Sequence, residues 1–194
     1  MSFTQGRNPH NPFPQNLDRR RILMVKEIIT YPTPLSVAYA TDVRSFDAEL
    51  FSLIEDLKDT INENNLEGLA AFQIGNYYNV IVVKDESGDF LELINPRLIG
   101  HEGSMTTEET TAYYPGKKAS IKRYKDITVV YQDREAKSQT LHASGALSIL
   151  LQRKIDYTFG APFIHKMSKD AREAFLQGLE KQEEKSWLKR FLRS

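Results

Sequence analysis

Cysteine is absent from the sequence. Disulfides, thiolate metal ligands and thiol nucleophiles are thereby excluded together. No apolar run approaches the length of a membrane span. The N-terminal stretch MSFTQGRNPHNPFPQNLDRRR lacks the apolar centre of a secretory signal. A cytoplasmic location is therefore expected. A net charge is lacking as well: 26 basic and 26 acidic side chains cancel. There is thus no global electrostatic case for a specific nucleic-acid partner.

The charge that is present is unevenly spread. Residues 1–27 carry a net +3 and residues 185–194 a net +4, which leaves −7 for residues 28–184. Two basic ends flank an acidic body, and solvated tails are the simplest reading of that pattern. At 194 residues and 40% hydrophobic, the chain suits one domain with tails. Residues 1–22, rich in Asn, Pro and Arg, read as a disordered arm. The folded domain is expected over residues 23–182, and residues 183–194 read as a basic amphipathic tail. In that tail Trp187 and Phe191 stand at i, i+4, as do Leu188 and Leu192, among Lys185, Lys189, Arg190 and Arg193. Such a helix either docks on the acidic body or presents itself to a membrane surface, a second copy of the chain or the ribosome. An exposed or intermolecular tail helix is the expectation.

Between the tails, helical and strand periodicities alternate without βαβ order. A first helix is expected over SFDAELFSLIEDLKDTINENN, with Ser45 as N-cap and Leu50, Ile54, Leu57 and Ile61 as its apolar stripe. VIVV at 80–83, FLELIN at 90–95 and ITVVYQD at 127–133 read as strands, and AKSQTLHA as a strand paired with the last. Residues 96–126 read as irregular. A second helix is expected over 145–157. A third is expected to be capped by Ser168, with Ala171, Phe175, Leu176 and Leu179 inward. The fold class is α+β, with antiparallel sheets packed around the helix at about 145–157 and a helix toward each terminus.

Three segments carry a resemblance. GLAAFQIG at 68–75, ETTAYYPG at 109–116 and LLQRKIDYTFG at 150–160 look like the three motifs of the peptide deformylases, in the family's order. The resemblance runs over about residues 24–180. It implies an enzyme that removes the formyl group from N-terminal formylmethionine with a divalent metal. In such enzymes a His-Glu-x-x-His helix puts two imidazoles on one face. The intervening Glu serves as acid and base for the metal-bound water, and a Cys in the second motif is the third ligand.

At the corresponding positions this sequence has Arg153, Lys154, Tyr157 and Thr111. Arginine has no lone pair for a metal. Lysine reverses the charge of the base, and threonine or tyrosine alone is a poor ligand. No metal and no cofactor is therefore expected. Arg153 is expected to occupy the place of the metal, held by a carboxylate, with Glu109 and Asp156 the leading candidates. Gln73 matches the amide that helps polarise the formyl carbonyl. Gly68, Leu69, Ala70 and Ala71 match the backbone that meets an extended substrate, and Tyr113 stands where the family has Ser. Glu109 and Arg123 match a family salt bridge, and Asp156 an acid that supports the ligands. Leu66 and Thr110 replace glycines. None of His10 in the arm, His101 in a loop after the second strand, His142 on a strand or His165 after the second helix falls on a motif position.

Two functions follow. The first is a non-catalytic deformylase-like protein with Gly68, Leu69, Gln73 and Tyr113 as candidate ligand contacts, binding an extended peptide N-terminus or a protein partner. The second is a hydrolase of formylmethionyl peptides or related amides by metal-independent chemistry around Gln73, Arg153, Lys154 and Tyr157.

Overall fold

The computed structural model describes residues 23–33, 35, 39–160 and 162–191, the last residues as backbone alone. The expected arm over 1–22 lies outside the described residues.

Helix α1 spans Ala48–Glu63 and places Leu50, Ile54, Leu57 and Ile61 in the interior. Its N-cap is Asp47 and not Ser45: the Asp47 carboxylate accepts from the amides of Glu49 and Leu50 at 3.0 and 3.2 Å. Both residues are good caps. Ser45, two residues further out, cannot reach the first orphan amides.

The strands are β1 (Gly68–Ala70), β2 (Val80–Lys84), β3 (Phe90–Glu102), β4 (Met105–Thr110), β5 (Lys118–Arg123), β6 (Asp126–Gln132) and β7 (Ser138–Ser144). They form an antiparallel five-stranded sheet ordered β1-β2-β3-β6-β7 and a separate β4-β5 hairpin. The VIVV run is buried on both faces. Val80 and Val82 join the α1 side, whereas Ile81 and Val83 join the opposite core, as a period of two requires. The segment 96–126 is not irregular as expected. β3 runs on to Glu102, and β4 and β5 follow. β3 changes register with β6 between Ile94 and Arg97 and again between Leu98 and Gly100. That interruption breaks the alternation a sequence reading depends on. His101 consequently lies on β3 and not in a loop.

Helix α2 (Gly145–Thr158) lies between the sheet and the hairpin. Its Leu151 and Ile155 share one core with Ile81, Val83, Leu93 and Val129 of the sheet and with Ala119 and Ile121 of β5. Helix α3 (Lys169–Phe191) is capped by Ser168, whose hydroxyl accepts from the Ala171 amide at 3.3 Å. Phe175 packs on Tyr114 and Phe163, Leu176 is half-buried and Leu179 is buried. Ala171, expected inward, is exposed, because the first turn of α3 has not yet reached the core. The helix continues unbroken through residue 191, so the tail is a continuation of α3. The side chains of residues 186–191 lie outside the described ones.

Candidate functional site

The first motif folds as a strand and a short turn. β1 ends at Ala70, a 3-10 turn covers Ala71–Ile74, and Gly75 closes it in the left-handed region at φ 79°. The Ala70 amide donates to Gln73 Oε1 at 3.1 Å, which fixes this buried side chain. Gly68 is a packing requirement: a Cβ there would stand 2.7 Å from both the Val82 carbonyl oxygen and a Val83 methyl. Leu69 is fully buried in the α1 core. Tyr113 is buried, with its hydroxyl donating to the Thr33 carbonyl at 3.0 Å and its ring against Tyr31 and Tyr114.

The third motif rides on α2. Periodicity sets Leu150, Arg153 and Tyr157 along one side of this helix. Tyr157 is buried, and its phenol and the Thr111 hydroxyl share a short hydrogen bond. Burial pushes the phenol well above the ordinary tyrosine value, against the opposing effects of Thr111 and Arg153. Lys154 is buried and donates to Gln73 Oε1 at 3.4 Å. Burial, and then the Arg153 charge beside it, lower this amine to about 7, with Glu67 opposing. The structure thus brings Thr111 to Tyr157 and Lys154 to Gln73.

Arg153 is not held by Glu109 or Asp156. Its Nη2 donates to the Thr110 carbonyl at 2.6 Å, and its Nη1 lies 3.8 Å from Glu67 Oε2. The two expected carboxylates are taken by Arg123. Its Nε and Nη2 bind Glu109 at 2.6 and 2.8 Å, and its Nη1 binds Asp156 at 2.7 Å. All three groups are buried. Burial is the largest influence on the Arg123 guanidinium and opposes its charge, but the two carboxylates outweigh it and raise its pKa. Burial likewise raises the Asp156 carboxyl, against the pull of Arg123. Glu67 escaped the sequence reading because it lies just before GLAAFQIG, the stretch that carries the resemblance. An acid there, in a chain with Arg153 in the third motif, was the available signal.

A divalent metal does not fit this donor set. Thr111 and Tyr157 are engaged with each other, Arg153 has no lone pair, and Lys154 stands where a carboxylate would be needed. Among the described residues no three His, Asp or Glu side chains gather as ligands. The described histidines lie elsewhere. His101 stacks on Tyr124 at 3.7 Å, His142 is hydrogen-bonded to Thr128 at 3.1 Å, and His165 lies in the turn after α2.

A central helix between an antiparallel sheet and a hairpin, with the three motifs converging on it, defines an α+β scaffold of the peptide deformylase kind. The family model for polypeptide deformylase matches residues 25–173, and the chain belongs to the peptide deformylase family. It is 36% identical over 160 residues to a peptide deformylase of Campylobacter jejuni, covering 78% of this chain and 91% of that protein. It is 32% identical over 157 residues to one of Syntrophobacter fumaroxidans, covering 79% and 92%. Among solved structures, the peptide deformylase of Thermus thermophilus superposes with a TM-score of 0.75 at 30% identity, covering 81% of this chain and 94% of that one. That of Legionella pneumophila gives 0.75 at 28%, covering 84% and 97%.

Proposed function

We propose that this chain is a non-catalytic member of the family that binds an extended peptide N-terminus or a protein partner. The observation that carries this reading is the pairing of the replacement side chains with their own neighbours: Thr111 with Tyr157, and Lys154 with Gln73. Groups that would have to polarise a water and a carbonyl are committed to one another. Without a polarised water and an anionic base, the lost electrostatic stabilisation of a deformylation transition state is on the order of several kcal/mol.

Protein purified without chelators is expected to contain no stoichiometric zinc, iron or nickel by elemental analysis. Turnover of a formyl-Met peptide is expected to be undetectable with or without added metal. Robust metal-dependent deformylation would sink the reading.

A second reading has one observation in its favour. The Lys154 amine, lowered to about 7 and facing Gln73, has the properties of a base or nucleophile toward an amide. Hydrolysis of formylmethionyl peptides or related amides that is metal-independent and disappears in Lys154→Ala would select this reading over the first.

A further inference from the structure

β7 (Ser138–Ser144) is an outer strand of the five-stranded sheet, and its whole length pairs with β6 on one side without a register shift. Which of its backbone groups are used follows from the two ends of that pairing. The Gly145 amide donates to the Lys125 carbonyl at 3.2 Å, and the Asp133 amide donates to the Lys137 carbonyl at 3.0 Å. Both are hydrogen-bonded pairs of one continuous register, so the residues between them alternate. Gln139, Leu141 and Ala143 turn their backbone groups toward β6. Ser138, Thr140 and His142 turn theirs outward, where among the described residues no other backbone group is bonded to them.

An open edge recruits further strands, and proteins guard such edges with charges, proline, a bulge or a very short strand. The opposite edge, β1, is three residues long. Both strands of the β4-β5 hairpin carry charges. β7, SQTLHAS, has no acid, lysine, arginine, proline or glycine. It is also complementary to itself. Laid antiparallel on a second copy about Leu141, Ser138 faces Ser144, Gln139 faces Ala143, Thr140 faces His142 and Leu141 faces Leu141. This register sets the outward residues of one copy against the outward residues of the other, as the hydrogen bonds require, and opposes no like charges. Leu141 packs half-buried at the margin of the core, and in this register its open flank meets its own image.

We propose that β7 is a homodimer interface, pairing antiparallel with β7 of a second copy about a two-fold axis at Leu141, so that the two sheets continue as one. Thr140 and His142 of opposite copies exchange both backbone hydrogen bonds, and the two Leu141 side chains cover each other. A single strand pair is a small contact, so dimer and monomer are expected to exchange at micromolar concentration.

The absence of cysteine makes the register testable, because an introduced thiol is the sole one in the chain. Leu141 lies on the axis in a non-hydrogen-bonded pair, with its Cα about 4.5 Å from its image, within disulfide range. Ser138 lies about 20 Å from its own image. Under mild oxidation the full chain with Leu141→Cys is expected to form a covalent dimer, and Ser138→Cys to stay monomeric. Thr140→Pro removes an outward N–H and leaves the bonds to β6, a substitution that edge strands accept. Circular dichroism is expected to show the fold kept. Sedimentation equilibrium is expected to show dimerisation weakened about tenfold or more, since symmetry removes the bond twice. A chain that stays monomeric up to millimolar concentration, or equal cross-linking of both thiol variants, would overturn the proposal. So would a folded Thr140→Pro that dimerises like the parent, or cross-linking of Leu141→Cys that vanishes when residues 185–194 are deleted, which would assign the contact to the tail.

Discussion

At the residue scale, Lys154 is the side chain whose chemistry departs furthest from its sequence. A lysine at that position announces a lost carboxylate, but nothing in the order of residues announces a buried amine. Its pKa is lowered from 10.5 to about 7 on folding. The unfolded chain therefore binds more protons than the folded one between those values, and stability rises with pH across that window. The destabilisation is full below about pH 7 and fades toward the ordinary lysine range. One such group changes stability by at most about 1.4 kcal/mol per pH unit. Lys154→Met is expected to be more stable than the parent at pH 7, with the difference narrowing by pH 9. Urea midpoints of both proteins at the two pH values measure this, and a constant difference would contradict it. Gly68 is the converse case. The resemblance marked it as backbone that meets an extended substrate, and the structure shows β2 packed against it. Gly68→Ala should cost about 1–3 kcal/mol through overpacking against Val82 and Val83, read from the same urea curves.

At the element scale, the Arg123 cluster joins β4, β5 and α2 through Glu109, Arg123 and Asp156. The pair Glu109–Arg123 was implied by the family resemblance. The third member was not, since Asp156 was a candidate partner for its near neighbour Arg153. The geometry of α2 decides the matter. Asp156 is buried against Arg123 of β5, while Arg153 is directed to the Thr110 carbonyl at the end of β4 and to Glu67 before β1. Arg123→Met would leave two buried carboxylates without their cation and is expected to destabilise by about 3–5 kcal/mol. Calorimetric melts at pH 7 and pH 4 test the cause. Protonation of the stranded carboxyls at pH 4 should recover part of the loss relative to the parent, and an undiminished loss would point to packing instead. The β4-β5 hairpin that carries this cluster escaped the sequence reading because MTTEET and KASIKR are short, polar and exposed on alternate positions. The apolar helix stripe and the doubly buried β2 gave stronger signals, and both were found within a residue or two.

At the scale of the whole molecule, the question is where the folded body ends. No described helix is long and apolar enough to cross a membrane. α3 contributes the buried Leu179 and the partly buried Phe175 and Leu176 to the core that α2 shares with the sheet, and its Gly178 carbonyl accepts a hydrogen bond from Lys117 Nζ at 3.0 Å. After Leu179 the described side chains Glu180, Lys181, Gln182, Glu184 and Lys185 are exposed, although the backbone stays helical to residue 191. A helix in that situation draws its stability from its anchored first half, at about 1.5 Å of rise for each further residue. The helix runs into the basic end of the chain as far as residue 191. Deletion of residues 185–194 is expected to shift the melting temperature by no more than the equivalent of about 0.5 kcal/mol, the usual range for exposed positions. Any association of the tail with a second copy of the chain or with ribosomes should weaken in the same variant, measured by sedimentation. A large loss of stability in a truncated monomer would instead place Trp187, Leu188 and Phe191 in the core of their own domain.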